Sequence, residues 1–546
     1  GQYILSIISS VMNKNDISVR IRGYAPTVVT QYPFFFQSSV FTCRKLPYST
    51  TLPFVPLASY AGNVSAPAAN AGLPLASPYI SNASYLPTVT LAGAKPTAGI
   101  QLINVGFTQN PGLLSPTYFE IKIGNNGPPN YNVFDNLVTC IEANTSNFSC
   151  VNNVLQNAYA SGKGGSGGGF GINAFTKDGN NRIQVIPGVP NGSFNNKFFD
   201  CSRSVATTNY LEHRINYCDI RSTQVNPAPA HFLNQPGKYG VYMTTMKFLK
   251  IEVNNNIMYN IENGITFNAT YGLVVLPPTF ASANGQYSGQ VDMNNNIMQP
   301  HVTGFPITSQ YVENAIYAAN VISTNPLYLI PGATVNQYNN QLSSVYTGIY
   351  VANWQKKDVR TISNCISLLN SPFLFSPFQF GVNHSNNITG NPFANLIYNN
   401  TITGPGITNP QMHGAYSSMS VNEYFRCNTT QNTYSGIEFS GVPSNPGAFI
   451  GNKMQNHKYG FVLNNNAVIG PQGSAGAPMD DQWLGTWTGG NFKTCVAGGA
   501  SAISSPFRLR NVGAYNPNGS GTNIPPSLIT DIYALPSTIA YVTGPF

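Results

Sequence analysis

The chain has 546 residues, of which 42% are hydrophobic but only 8% charged, against about 25% charged in an ordinary globular domain. Its 31 Tyr and 31 Phe exclude a disordered chain, and 51 Gly with 40 Pro exclude long helices, because interior Gly and Pro cost roughly 1 and 3 kcal/mol relative to Ala. The net charge of +8 is scattered: Lys356-Lys357 with Arg360, and Arg508 with Arg510, are the densest clusters. Neither forms the basic stripe that nucleic acid requires, and no run reaches the roughly 18–20 apolar residues of a membrane span.

In chain order, Gly1 to Gln37 reads as the middle of a coil. An irregular insertion then runs without any charge from Lys45 to Lys95, broken by Pro53, Pro56, Pro67, Pro74, Pro78 and Pro87. Residues 1–96 are therefore assigned to N-terminal coils with a long insertion. Residues 97–470 carry a repeat: Asn, an apolar residue, two variable positions, another apolar residue, often Gly, then a short alternating strand. It begins at Asn132-Val-Phe-Asp-Asn-Leu and continues at Asn153-Val-Leu-Gln-Asn, Asn196-Lys-Phe-Phe-Asp-Cys and Asn216-Tyr-Cys-Asp-Ile.

Two nearly identical segments follow 40 residues apart, Ile251-Glu-Val-Asn-Asn-Asn-Ile-Met and Val291-Asp-Met-Asn-Asn-Asn-Ile-Met, placing Asn256 and Asn296 at the turn. Later copies start at Asn364, Asn400, Asn428 and Asn452. The shortest spacings, 20, 21 and 24 residues, are too short for a four-stranded propeller blade and leave no room for a helix. They predict an all-β, right-handed parallel β-helix with long loop insertions, in which alternate side chains face a continuous core. Asn suits such turns because it tolerates the left-handed backbone region, and stacked Asn side chains can form amide ladders. Residues 158–171, 272–290 and 300–344 read as insertions, and residues 471–546, with Trp483-Leu-Gly-Thr-Trp487, as a C-terminal cap.

At these repeats, in Asn132-Val-Phe-Asp-Asn-Leu, Gly240-Val-Tyr, Gly264-Ile-Thr-Phe, Gly348-Ile-Tyr-Val and Gly460-Phe-Val-Leu, the chain resembles the parallel β-helix proteins of the pectate-lyase-like superfamily. More narrowly, it looks like large surface proteins of Bacteroidota exported by type IX secretion. The resemblance covers roughly residues 97–470. It implies an extracellular or outer-membrane-exterior location, and a C-terminal sorting domain is not visible before Phe546. The expectation is a fragment of a longer protein.

Eight cysteines contain no Cys-x-x-Cys pair. Cys140 with Cys150 and Cys201 with Cys218 could bridge neighbouring coils or remain buried thiols. The six histidines lack zinc spacing, and neither Gly-x-Ser-x-Gly nor the Asn-Thr-Asp, Gly-Asp-Asp, Gly-His-Gly and Arg-Ile-Lys phrases of β-helix hydrolases occur. Glu212, His213, Arg214, Asp219 and Arg221 form the densest charged group, but strand alternation splits them between inside and outside. The one adjacent acidic pair, Asp480-Asp481, lies in the cap. For glycans, Trp354 and tyrosines of the insertions are candidate platforms, with packing as the competing role.

No catalytic residue, metal or cofactor is assigned. The expected function is a non-enzymatic extracellular or cell-surface structural or adhesion protein, an elongated rod whose partners are other surface or matrix proteins or glycans within a larger assembly. Two alternatives remain open: a polysaccharide lyase or glycoside hydrolase whose residues are dispersed over coils, and a self-assembling extracellular filament subunit.

Overall fold

A computed structural model describes residues 5–8, 10–13, 17–25, 34–37, 39–42, 98–111, 116–124, 131–135, 137–156, 158, 169–189, 195–222, 237–245, 248–268, 290–300, 312–319, 334–354, 358–369, 378–387, 395–441, 449–473, 479–487, 490–496, 507–509 and 534–536. The expected insertions at 45–95 and most of 272–290 lie outside these residues, as do residues 159–168 of the glycine-rich loop. Among the described residues all regular structure is β-strand. The pairing is parallel except for Phe107–Gln109 against Thr117–Phe119.

The chain divides into two units, Gly1–Val312 with Ser323–Ile330, and Glu313–Ile322 with Pro331–Phe546. The division falls within the stretch 97–470 that the sequence treats as one block.

In the first unit three strands make one repeat, and each strand pairs with the strand three places later. Thr139–Asn144, Phe148–Val151 and Asn153–Gln156 pair in parallel with Phe170–Phe175, Arg182–Ile186 and Lys197–Phe199. Those pair in turn with Arg203–Thr208, Glu212–Ile215 and Asp219–Arg221. Because the register is in phase, like side chains stack on like. Ile100, Ile141, Ile172, Val205, Val241 and Ile265 form one fully buried column, and Phe134, Leu155, Phe198, Ile220, Met258 and Met298 another. Each large side chain buried in this way contributes roughly 1.5–3 kcal/mol.

The second unit repeats the scheme. Gln379–Ser385, Met412–Ser418, Ser435–Ser440, Tyr459–Asn464 and Phe492–Val496 pair in sequence, stacking Val382, Ala415, Ile437 and Phe461 inward. The expectation that 300–344 is one insertion is corrected, because Val312–Ala319 and Thr334–Tyr338 are strands and Gln341 opens the strand Gln341–Ala352. Val312, Ala315, Ile316 and Ala318 are buried, and so is Asn340, which donates to Asn364, so this stretch packs as strands.

The recurrent Gly has a steric cause. Gly348, Gly381, Gly414, Gly436 and Gly460 occupy one column, each packed against the backbone of the next. A Cβ on Gly436 would lie 2.5 Å from the Gly460 carbonyl oxygen and 2.8 Å from the His457 ring. Space, not a left-handed backbone, demands glycine there.

The recurrent Asn forms buried amide ladders. In the second unit Asn340, Asn364, Asn400 and Asn428 each donate backbone N–H and side-chain Nδ2 to the Oδ1 of the next Asn, the last being Asn452, at 2.8–3.1 Å. The second Nδ2 proton goes to a backbone carbonyl of the adjacent repeat: Asn364 to Gln337, Asn400 to Thr361, Asn428 to Ile397 and Asn452 to Phe425. In the first unit Asn132, Asn153 and Asn196 are linked in the same way, as are Asn256 and Asn296.

Two details differ from the sequence reading. The left-handed residue is the one before the ladder Asn: Asn152, Asn255, Asn295, Asn339, Ser363, Asn399, Cys427 and Gly451 all have positive φ. The ladder Asn must aim its amide into the stack, so its neighbour makes the turn. Asn216 is also out of register. Cys218 occupies the ladder position and donates its N–H to Asn256 Oδ1 at 2.8 Å. Asn216 belongs instead to a half-buried second ladder, accepting from Asn254 N while Asn254 Oδ1 accepts from Asn294 N.

Candidate binding face

Of the sequence-assigned Asn residues, Asn132, Asn153, Asn196, Asn256, Asn296, Asn364, Asn400, Asn428 and Asn452 are all buried, and Asn216 is half-buried. Cys140, Cys150, Cys201 and Cys218 are buried free thiols, and burial pushes the Cys150 thiol up to about 12, away from thiolate chemistry. Trp354 is no sugar platform: its ring is fully buried and its Nε1 donates to the Ala318 carbonyl at 2.9 Å.

The charged group around residue 212 is divided as alternation requires. His213 points into the apolar column between Ile183 and Ile251, where Thr207 Oγ1 and the Tyr210 carbonyl flank its nitrogens at 3.0 and 2.9 Å. Burial holds its pKa down to about 4. Glu212 and Arg214 lie on the opposite face, in columns that alternate in sign: Arg182, Glu212, Lys250 and, beside them, Arg214, Glu252. Arg182 holds Glu120 at 3.1 Å, Gln184 donates to the same carboxylate at 2.8 Å, and Arg214 and Lys250 both engage Glu252. Asp219 and Arg221 pair with each other at 2.5 Å on a different strand. Burial raises the Glu120 pKa, while Arg182 opposes that rise. With both Glu120 oxygens occupied, this is a cross-strand charge ladder that braces the stack. Among the described residues, no group of three or more His, Cys, Asp or Glu is placed to hold a metal ion.

Inside the second unit, Thr361 Oγ1 lies 3.0 Å from His384 Nε2, and His384 Nδ1 lies 2.9 Å from Glu423 Oε1. Ser417 and Gln337 extend the chain at its two ends. A hydroxyl, an imidazole and a carboxylate in this order are the ingredients of nucleophile activation. All three side chains are fully buried, so no substrate reaches them and the network serves packing.

The opposite side of the same sheet carries a different assembly. Tyr350, Asn383, Tyr416 and Glu438 are register neighbours on successive strands, each adjacent in sequence to an inward residue and therefore facing away from the core. Tyr317 stacks on Tyr350 with centroids 5.1 Å apart and rings nearly parallel. Tyr416 contacts Phe380 at 5.0 Å and His413 at 5.1 Å, and half-exposed Phe378 lies 6.0 Å from the His413 ring. Glu438 fixes this imidazole: its Oε2 is 2.9 Å from His413 Nδ1, and its Oε1 accepts from Asn464 Nδ2 at 3.3 Å.

The Glu438 contact leaves Nε2 as the other ring nitrogen of His413. That nitrogen is buried and has no protein partner, and neither has Asn383 Oδ1. The rings of Tyr317, Tyr350 and Tyr416 line this face. The pair His413–Glu438 is 25 residues apart and carries no motif, so linear spacing did not reveal it. Aligning the chain on the column glycines, Phe380-Gly, His413-Gly, Ser435-Gly and Tyr459-Gly, would have placed these residues side by side.

No family model, curated protein or solved structure matches the chain. No helix among the described residues is long and apolar enough to cross a membrane.

Proposed function

We propose that the chain is a right-handed parallel β-helix serving as a non-enzymatic extracellular adhesion rod, displaying its sheet faces to surface or matrix glycans and proteins. The three-strand period and in-phase parallel register support the β-helix, since strand–crossover–parallel strand connections are right-handed in about 98% of cases. The observation that carries the function is the outer face of the second unit, where Tyr317, Tyr350 and Tyr416 line up across strands. A cleaving enzyme needs two carboxylates available to the scissile bond. Here Glu120, Glu252 and Glu438 are each engaged by cations or hydrogen-bond donors, and Glu423 is sealed in the core.

The secreted location and the affinity with Bacteroidota surface proteins belong to the same proposal and rest on the sequence resemblance. The test combines sedimentation of the protein with insoluble cell-wall and matrix polysaccharides and an assay of the supernatant for new reducing or unsaturated ends. Retention without products is expected. Release of products with turnover, or no retention on any surface material, would overturn the reading.

A further inference from the structure

We infer that Arg203, held among Phe170, Tyr239 and Tyr242, anchors a protein-docking site that takes one Asp or Glu carboxylate from a partner segment also carrying an apolar side chain. This deepens the adhesion reading, on its protein-partner side, and rests on it.

Arg203 differs from its neighbours in how its charge is treated. Arg182, Arg214 and Arg221 each hold a carboxylate. The Arg203 guanidinium instead lies 5.2, 5.5 and 5.3 Å from the ring centroids of Phe170, Tyr239 and Tyr242, with Phe170 and Tyr239 its register partners on the flanking strands. Tyr242 stands between the buried Val241 and Met243, so the group faces away from the core. Arg203 is half-buried, and its guanidinium makes no ion pair or hydrogen bond among the described residues. Its nitrogens are not sealed from solvent, so a ligand can reach them. The rings hold the planar fork in place, and its unpaired N–H donors suit the two oxygens of a carboxylate. A fork ordered in advance loses less freedom on binding.

The surroundings select a single charge. Across the strands from Thr139–Asn144 to Asn263–Asn268, the outward columns beside Arg203 carry Asn173, Ala206, Tyr242 and Thr266, then Phe175, Thr208 and Thr244. Arg203 is the one cation in these columns, and the one anion, Glu142, accepts from Gln101 Nε2 at 3.0 Å. A polyanion is held by a row of cations, whereas one carboxylate is matched by one fork.

Composition selects the partner. Arg together with Tyr is the chemistry of protein-interface hot spots. On the same face Phe175 is 39% exposed. It is in register with Thr208, five positions beyond Arg203, which is roughly 16 Å at the rise of a strand. A partner segment laid along the strands therefore sets its acid and its apolar residue about five positions apart.

The experiment is saturation-transfer NMR of the whole chain with synthetic Ser/Thr decapeptides carrying Glu and Phe five positions apart, and with the same peptides carrying Gln in place of Glu. The Glu peptide should bind at least roughly ten-fold tighter than the Gln peptide. Arg203→Gln should abolish that difference and Arg203→Lys restore only part of it, because the planar fork is lost; Tyr459→Ala in the second unit should leave it unchanged. Thermal melts verify that each variant is folded, and the comparison of the two peptides on the unaltered chain needs no variant. The inference is overturned by equal affinity for the two peptides, by no binding of the Glu peptide at millimolar concentration, or by a difference that survives in folded Arg203→Gln. Tighter binding of tripolyphosphate or of a galacturonate hexasaccharide overturns it as well. Sedimentation of the unaltered chain with wall and matrix material reads the adhesion proposal separately: retention there without peptide binding refutes this site alone.

Discussion

Asp481 takes the place after Asn452 in the second unit's ladder, and replacing it with Asn should stabilise the protein in a manner that depends on pH. Its Oδ1 accepts from Asn452 N at 2.7 Å and from Asn452 Nδ2 at 2.9 Å, as an Asn would. Its Oδ2 is buried without a protein partner. Every ladder Asn from 364 to 452 donates its second Nδ2 proton to the carbonyl three residues before the preceding ladder Asn; for position 481 that carbonyl is Phe449. An ionised carboxylate brings a charge where the ladder brings a donor, and burial accordingly pushes the Asp481 pKa up to about 8. In the unfolded chain the same carboxyl ionises near pH 4.

Between these values the unfolded state releases a proton that the folded state keeps, so stability falls as pH rises, by about 1.4 kcal/mol per unit and roughly 5 kcal/mol in all. Below pH 4 both states hold the proton and nothing is lost. Asp481→Asn removes the titration and supplies the missing donor. Thermal melts at pH 4 and pH 8.5 should show variant and wild type within about 2 °C at the lower pH and the variant higher by at least about 5 °C at the upper. An equal offset at both pH values, or a variant less stable at pH 8.5, would refute the reasoning.

His213 and His457 respond in the opposite sense. Burial holds both down to about 4, while an unfolded imidazole takes a proton near pH 6.5. Their contribution is complete above pH 6.5 and is lost as pH falls toward 4, by up to about 3 kcal/mol per ring. Denaturant midpoints should drop over that interval, with a smaller drop in His213→Leu; an identical drop in the variant would contradict the assignment. Asn428→Ala removes the acceptor for Asn400 N and Nδ2 and the donor to Ile397 and Asn452, and should cost roughly 3–5 kcal/mol. Asn216→Ala, in the half-buried second ladder, should cost about 1 kcal/mol or less. Equal losses in chemical denaturation would overturn the distinction between the two ladders.

The ladder was legible because it recurs locally. Asn254-Asn-Asn256 and Asn294-Asn-Asn296 announce a repeating turn in any reading frame, and Gly before an apolar pair announces a strand beginning at a crowded position. The ladder does not end at Asn452, however. Asp481 and Trp483 continue it within the stretch read as a cap, with Trp483 in register with Met454. A carboxylate in an amide's place gives no signal in a pattern built on Asn. Asn216 misled for the converse reason: the residue type matched, but only the register places Cys218 in the stack.

By itself the sequence determined what short-range chemistry can encode: an all-β chain, a turn every twenty-odd residues, inward apolar alternation, and the separation of His213 from its charged neighbours. Only the tertiary structure decided which residues meet across repeats. Loops of unequal length separate those repeats, so Asn383, His413 and Glu438 share no constant spacing. They become neighbours because parallel strands lock in register, and that face exists only once the sheet has formed.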